Sequence, residues 1–128
     1  MERFDYTVTT SRSLDEAVVT IESKAKEKGF SVLHVHDVSA TLEGKGFHRE
    51  PLRIVEICNA KYASQVLAKD IKISLMLPCP ISVYVEKGTT YISALRPKVI
   101  ADFYPDADIS ALADEVDKIV LGIVDESK

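Results

Sequence analysis

Phe4, Tyr6 and Val8 alternate with Asp5, Thr7 and Thr9, the period of two of a strand with one buried face. Ser13-Leu14-Asp15-Glu16 then spells a capping box, in which the serine hydroxyl accepts from an open amide at a helix start and the glutamate reaches back. Leu14, Ala17, Val18, Ile21 and Ala25 recur at helical spacing, and Gly29 supplies a left-handed stop. Residues 30–38 read as a second strand, with Phe30, Val32, His34 and His36 on one face and Ser31, Leu33, Val35 and Asp37 on the other. Residues 41–46 break the pattern with two glycines and are expected to be a mobile connection. Residues 52–58 form a third strand, and Asn59 is a good cap for a short helix to about Lys69, with Tyr62, Ala63, Val66 and Leu67 facing inward. Ile71, Ile73, Leu75 and Leu77 alternate up to Pro78-Cys79-Pro80, as a further extended run would. Residues 81–86 and 90–95 flank Lys87-Gly88 as a hairpin. Residues 98–104 suit a turn of helix, and Asp108 is expected to cap a last helix carrying Ile109, Leu112, Ala113, Val116, Ile119, Val120 and Ile123 on one stripe.

This order predicts an α+β domain: two layers, with a mainly antiparallel sheet packed against two long helices. The order is strand, helix, four or five strands with a short helix inserted, and helix. No repeat or linker divides the chain, so residues 1–128 are expected to be one domain. Leu52 and Ile54 lie on one face of their strand and Val55 and Ile57 on the other. A sheet that is apolar on both faces calls for a partner, and a homodimer is expected.

Composition narrows the setting more than the chemistry. A formal charge of -4, without any run of Lys or Arg, argues against nucleic-acid binding. Two cysteines cannot staple a secreted scaffold. The first residues lack an apolar signal core, and no run approaches the ~20 apolar residues of a membrane span. A cytoplasmic protein without membrane partners is the expectation.

The cysteines carry the main chemical interest. Cys58 ends a strand just before the Asn59 cap, where a helix N-terminus favours thiolate. Cys79, held between Pro78 and Pro80, can act as a resolving or co-ligand thiol if the fold brings the two together. The spacing is not that of a Cys-x-x-Cys site, and two buried inert thiols fit the pattern equally. His34-x-His36 puts two imidazoles on one strand face, a geometry that can chelate a transition metal such as zinc. Two exposed polar side chains are the plainer reading. Lys45 lies between Gly44 and Gly46, where an ammonium and open amides can meet an anion, but no phosphate-loop pattern follows. Asp37 and Glu56 are strand acids that can pair with Lys45 or Arg53.

Gly29-Phe30, Asp37-Val38, Ala40-Thr41-Leu42 with Lys45, Cys58-Asn59, and Leu77-Pro78-Cys79 before Val83-Tyr84 together resemble the domain of unknown function 302 family. The resemblance runs from about Phe4 to Val124. It implies an α+β fold similar to the TATA-box-binding-protein-like topology, commonly dimeric, and no particular activity. DNA binding does not follow, since fold is no warrant for function. The family pattern does not call for His34 or His36. Two functions are compatible with these residues. One is a small ligand- or metal-binding module with an unidentified small-molecule ligand near Cys58, Asn59, Pro78 and Cys79, joined by Lys45 and Asp37. The other is a thiol redox or sulfur-transfer protein using Cys58 and Cys79. Whether it is an enzyme stays open.

Overall fold

The alternating strand residues close into one sheet because each contributes its apolar side to the same face. A computed structural model describes residues 3–128. Strands β1 (Asp5–Thr10), β2 (Ser31–Asp37), β3 (Leu52–Cys58), β4 (Cys79–Glu86) and β5 (Thr89–Leu95) form a sheet of order β1-β5-β4-β3-β2. Every neighbouring pair is antiparallel. Val55 and Ile57 of β3, Ile81 and Val83 of β4, and Ile92 and Ala94 of β5 are buried together with the apolar stripes of two long helices. These helices are α1 (Leu14–Glu27) and, closing the chain, Ser110–Ser127. The architecture is therefore the expected two-layer α+β fold.

Helix α1 begins as its capping box requires: the Ser13 hydroxyl accepts from the Glu16 amide at 3.1 Å. It ends at Gly29, with φ 83, where Phe30 N donates to Ala25 O and Gly29 N to Lys26 O. That pair of bonds satisfies the last carbonyls of the helix.

Four sequence expectations change. In β2 the ladder shifts register between Val32 and His34, so Val32 and Val35 both pack toward the core while His34 and His36 stand on the open face. The shift breaks the strict alternation that put Val32 with the histidines. Residues 41–46 are not a loose connection: helix α2 (Val38–Glu43) takes in residues 41–43, and Gly44, Lys45 and Gly46 form its closing turn, their amides bonded to Ala40, Leu42 and Glu43 carbonyls. It starts because the Asp37 carboxylate accepts from Ala40 N at 3.0 Å. The run from Ile71 to Leu77 is not extended. After helix α3 (Ala60–Lys69), Asp70 caps a 3-10 turn (Ile71–Met76), accepting from Lys72 N at 2.9 Å. Only Ile73 of that turn is buried; Ile71 and Leu75 face outward. Finally, Asp108 does not cap the last helix. It adopts a left-handed backbone at φ 55 after a 3-10 turn (Pro105–Ala107), and Ile109 takes the cap position without a side-chain bond.

Helix α4 (Pro97–Phe103) follows β5, and the last helix is α5 (Ser110–Ser127). A second buried cluster of Ile73, Ile100, Ala107 and Ile109 joins the 3-10 turns to α4. It sits beside the end of the sheet where β3 finishes and β4 begins. Among the described residues, no helix is long and apolar enough to cross a membrane.

Candidate functional site

Asn59 fixes the geometry of that end of the sheet. Its side-chain oxygen accepts from Tyr62 N at 3.1 Å, starting α3, and its amide donates to Gly29 O at 3.0 Å. One residue thus bolts the start of α3 to the end of α1. The Cys-Asn pair has this structural role whatever else it does.

Across the ladder, Cys79 faces Ile57, the residue before Cys58. Both thiols line one cavity of ≈ 50 Å³, together with Phe30, Asn59, Tyr62 and residues of α3, α4 and α5. Nearly all of its lining is apolar, from Val66, Ile73, Leu77, Ile100, Ile109 and Val116 among others. A water needs roughly 10–15 Å³, so the space takes an apolar group larger than a single water. The long separation of the two cysteines in sequence is closed by the fold. They are free thiols, Cys58 half-buried and Cys79 buried.

The electrostatics of the cavity favour the protonated thiol. Burial raises the Cys58 pKa above its ordinary value of 9.0. Burial pushes Cys79 up to about 11, with a smaller contribution from Cys58 beside it. The helix start therefore does not make Cys58 a thiolate, because desolvation outweighs the α3 amides, one of which Asn59 already occupies. Tyr62, at the cavity wall, donates its hydroxyl to Glu115 of α5 at 2.9 Å, which raises its own pKa.

The remaining sequence candidates lie elsewhere. Asp37 pairs with Arg53 near the opposite end of β3, about 17 Å from Cys58 at the usual strand rise. Hydrogen bonds from the Ala40 amide and the Ser39 hydroxyl lower its pKa, with Arg53 3.7 Å away adding to this. Lys45 is exposed in the turn after α2, on that same side, and is not part of the cavity wall. Pro78 follows a cis peptide bond after Leu77; Leu77 and Cys79, not Pro78, reach the cavity. His34 and His36 stand exposed on the open face of the sheet, with ring centroids 4.4 Å apart. Among the described residues, no group of three or more His, Cys, Asp or Glu side chains is arranged to hold a metal ion.

The sequence profile described as Domain of unknown function DUF302 matches residues 6–127. The chain belongs to the DUF302 family. A crystal structure of an uncharacterised conserved DUF302 protein from Bacillus stearothermophilus superposes with a TM-score of 0.93 at 30% identity, covering 99% of this chain and 100% of that one. No curated protein matches the chain. Of the residues that carried the resemblance, Cys58, Asn59 and Cys79 meet at the cavity, whereas Asp37 and Lys45 cluster around α2. Sequence reading missed the walls from α4 and α5, above all Ile100, Leu112, Ala113 and Val116. For the three α5 residues the one signal is an apolar stripe wider than the sheet alone needs; Ile100, on α4, gave none.

Proposed function

We propose that this DUF302 protein is a small-molecule-binding module whose ligand places an apolar group, a short alkyl chain or a small aromatic ring, in the cavity beside Cys58 and Cys79. The carrying observation is that an almost wholly apolar cavity has a half-buried thiol in its wall. Apolar cavities of this kind stay dry and take up apolar guests. The wall thiols serve as soft, polarizable contact surface in this reading. A redox or sulfur-transfer role has less support: burial favours the protonated form of both thiols, and no cationic side chain among the described residues lines the cavity.

Toluene and indole are suitable probes. Each is expected to raise Tm at millimolar concentration and to slow maleimide labelling of Cys58. Ala113→Leu, which fills the cavity from α5, is expected to remove both effects. Unchanged Tm and unchanged labelling with both probes would overturn the binding reading. Rapid Cys58 alkylation at pH 7, well above the rate of a free peptide thiol, would favour the redox reading instead.

A further inference from the structure

The imidazole pair on β2 does not line the cavity and is not used by the proposed function. The register shift after Val32 places His34 and His36 on the same open face, both exposed, with their rings 4.4 Å apart and inclined at 70°. Glu56, the cross-strand neighbour of His34 on β3, has its Oε1 2.6 Å from His36 Nε2. In a neutral imidazole, an Nε2–H donated to that carboxylate leaves Nδ1 with a free lone pair. A carboxylate behind a histidine is also the usual way in which a metal-binding imidazole is oriented and made more basic.

Two nitrogens on one zinc at ~2.0–2.1 Å stand roughly 3.3 Å apart in a tetrahedral site. Rings with centroids 4.4 Å apart reach that spacing by side-chain rotation alone. One chain nevertheless supplies only half of a tetrahedral set, for no third ligand stands with the pair among the described residues.

The missing half is determined by where β2 lies. Among the described residues it is an edge strand, paired only with β3, so its outer backbone groups face away from the sheet. An antiparallel pairing of two β2 edges about a two-fold axis through Val35 sets His34 of one copy opposite His36 of the other, and the reverse. Directly opposed residues share a face, with Cβ atoms about 4.5–5.5 Å apart. All four imidazoles then gather on the open side of a continuous sheet.

We infer that His34 and His36 form a half-site for a borderline divalent transition-metal ion, with Glu56 positioning His36 and a second copy of the chain completing the site across the β2 edge. The set of four imidazoles suits Zn²⁺, Co²⁺ or Cu²⁺ better than Mg²⁺ or Ca²⁺, which prefer oxygen.

The test uses full-length protein without an affinity tag, with Co²⁺ as spectroscopic probe and Zn²⁺ for mass measurements. One metal per two chains is expected, with the intense visible absorption of tetrahedral Co²⁺ and at least a ten-fold tightening of self-association. His34→Ala with His36→Ala should abolish all three. Glu56→Gln should keep the tetrahedral spectrum but weaken affinity about 10- to 100-fold, the mark of a positioning residue. Diethyl pyrocarbonate modification of the unsubstituted protein is an independent check, since Co²⁺ should protect His34 and His36 together. One metal per monomeric chain, a weak octahedral spectrum, binding that survives the double substitution, or histidines that stay reactive with metal present would each overturn the inference.

Discussion

Cys58 and Cys79 line the same cavity, yet burial separates their chemistry. Cys79 is only 7% exposed and Cys58 is half-buried, so reagent should reach the two very unequally. Native protein treated with maleimide at pH 7 is expected to gain one adduct slowly, at Cys58, and a second only after unfolding in guanidinium, as read by intact mass. Cys79 also ties stability to alkaline pH. Its pKa is raised from 9.0 to about 11 in the fold, so below pH 9 both folded and unfolded chains hold the proton and stability is unaffected. Between pH 9 and 11 the unfolded chain ionises while the folded chain keeps its proton, and stability falls. At ~1.4 kcal/mol per unit, the loss is on the order of 2–3 kcal/mol. Tyr6 and Tyr62, both raised from 10.0 mainly by hydrogen bonds to carboxylates, push in the same direction. The Cys79 share is therefore the difference in slope between the unsubstituted protein and Cys79→Ala in urea melts across pH 8 to 11. Equal slopes would mean that the cavity admits water freely to that thiol.

At the scale of elements, the junction of α1, β3 and α3 rests on Asn59. Asn59→Ala removes the cap of α3 and the donor to Gly29 O together, for an expected loss of about 1–2 kcal/mol. Asn59→Ser keeps a capping hydroxyl but is too short to bridge to Gly29, so it should recover about half of that loss in urea denaturation. Equal costs for the two variants would place the whole effect on the Gly29 contact. This cap was legible from sequence because it is local: a side chain and an amide three residues apart. So were the α1 capping box and the hairpin at Lys87-Gly88, whose backbones both take positive φ. The run from Ile71 to Leu77 was misleading for the same reason. Alternation of apolar residues is only a proxy for burial, and here Asp70 caps a tight turn that leaves Ile71 and Leu75 in solvent. The candidate site was half legible. Cys58, Asn59 and Cys79 converge as their strand ends suggested, but Asp37 and Lys45 sit at the far end of β3, a separation that follows from strand direction, which spacing alone does not give.

At the scale of the whole molecule, the cavity depends on how α4 and α5 are held against the end of the sheet. That restraint passes through Asp117, which is 4% exposed in the middle of α5. Arg96, just past β5, donates Nη2 to Asp117 Oδ2 at 2.7 Å and Nε to Oδ1 at 3.3 Å, and Lys98 N at the start of α4 donates to the same Oδ1 at 3.2 Å. Arg96 N in turn bonds Phe4 O beside β1. One carboxylate thus binds the sheet end, the first turn of α4 and the centre of α5. Removing it from a mostly buried pair withdraws one ionic partner from Arg96 and an acceptor from Lys98 N; breaking such a pair typically costs about 3–5 kcal/mol. Asp117→Ala is expected near the lower end of that range, because the Arg96 side chain is 18% exposed and water can reach part of it. Asp117→Asn should fall between, since its carbonyl oxygen can still accept from Lys98 N. Pro97 and Ile100 of α4 and Leu112, Ala113 and Val116 of α5 all face the cavity, so both substitutions should also weaken toluene binding, in the same order as their loss of stability. Urea melts and toluene-induced Tm shifts on the two variants check this together. A stability loss under about 1 kcal/mol for Asp117→Ala would show that the pair behaves as a solvated surface contact. Destabilisation without any change in toluene binding would show that the cavity walls are held by apolar packing alone.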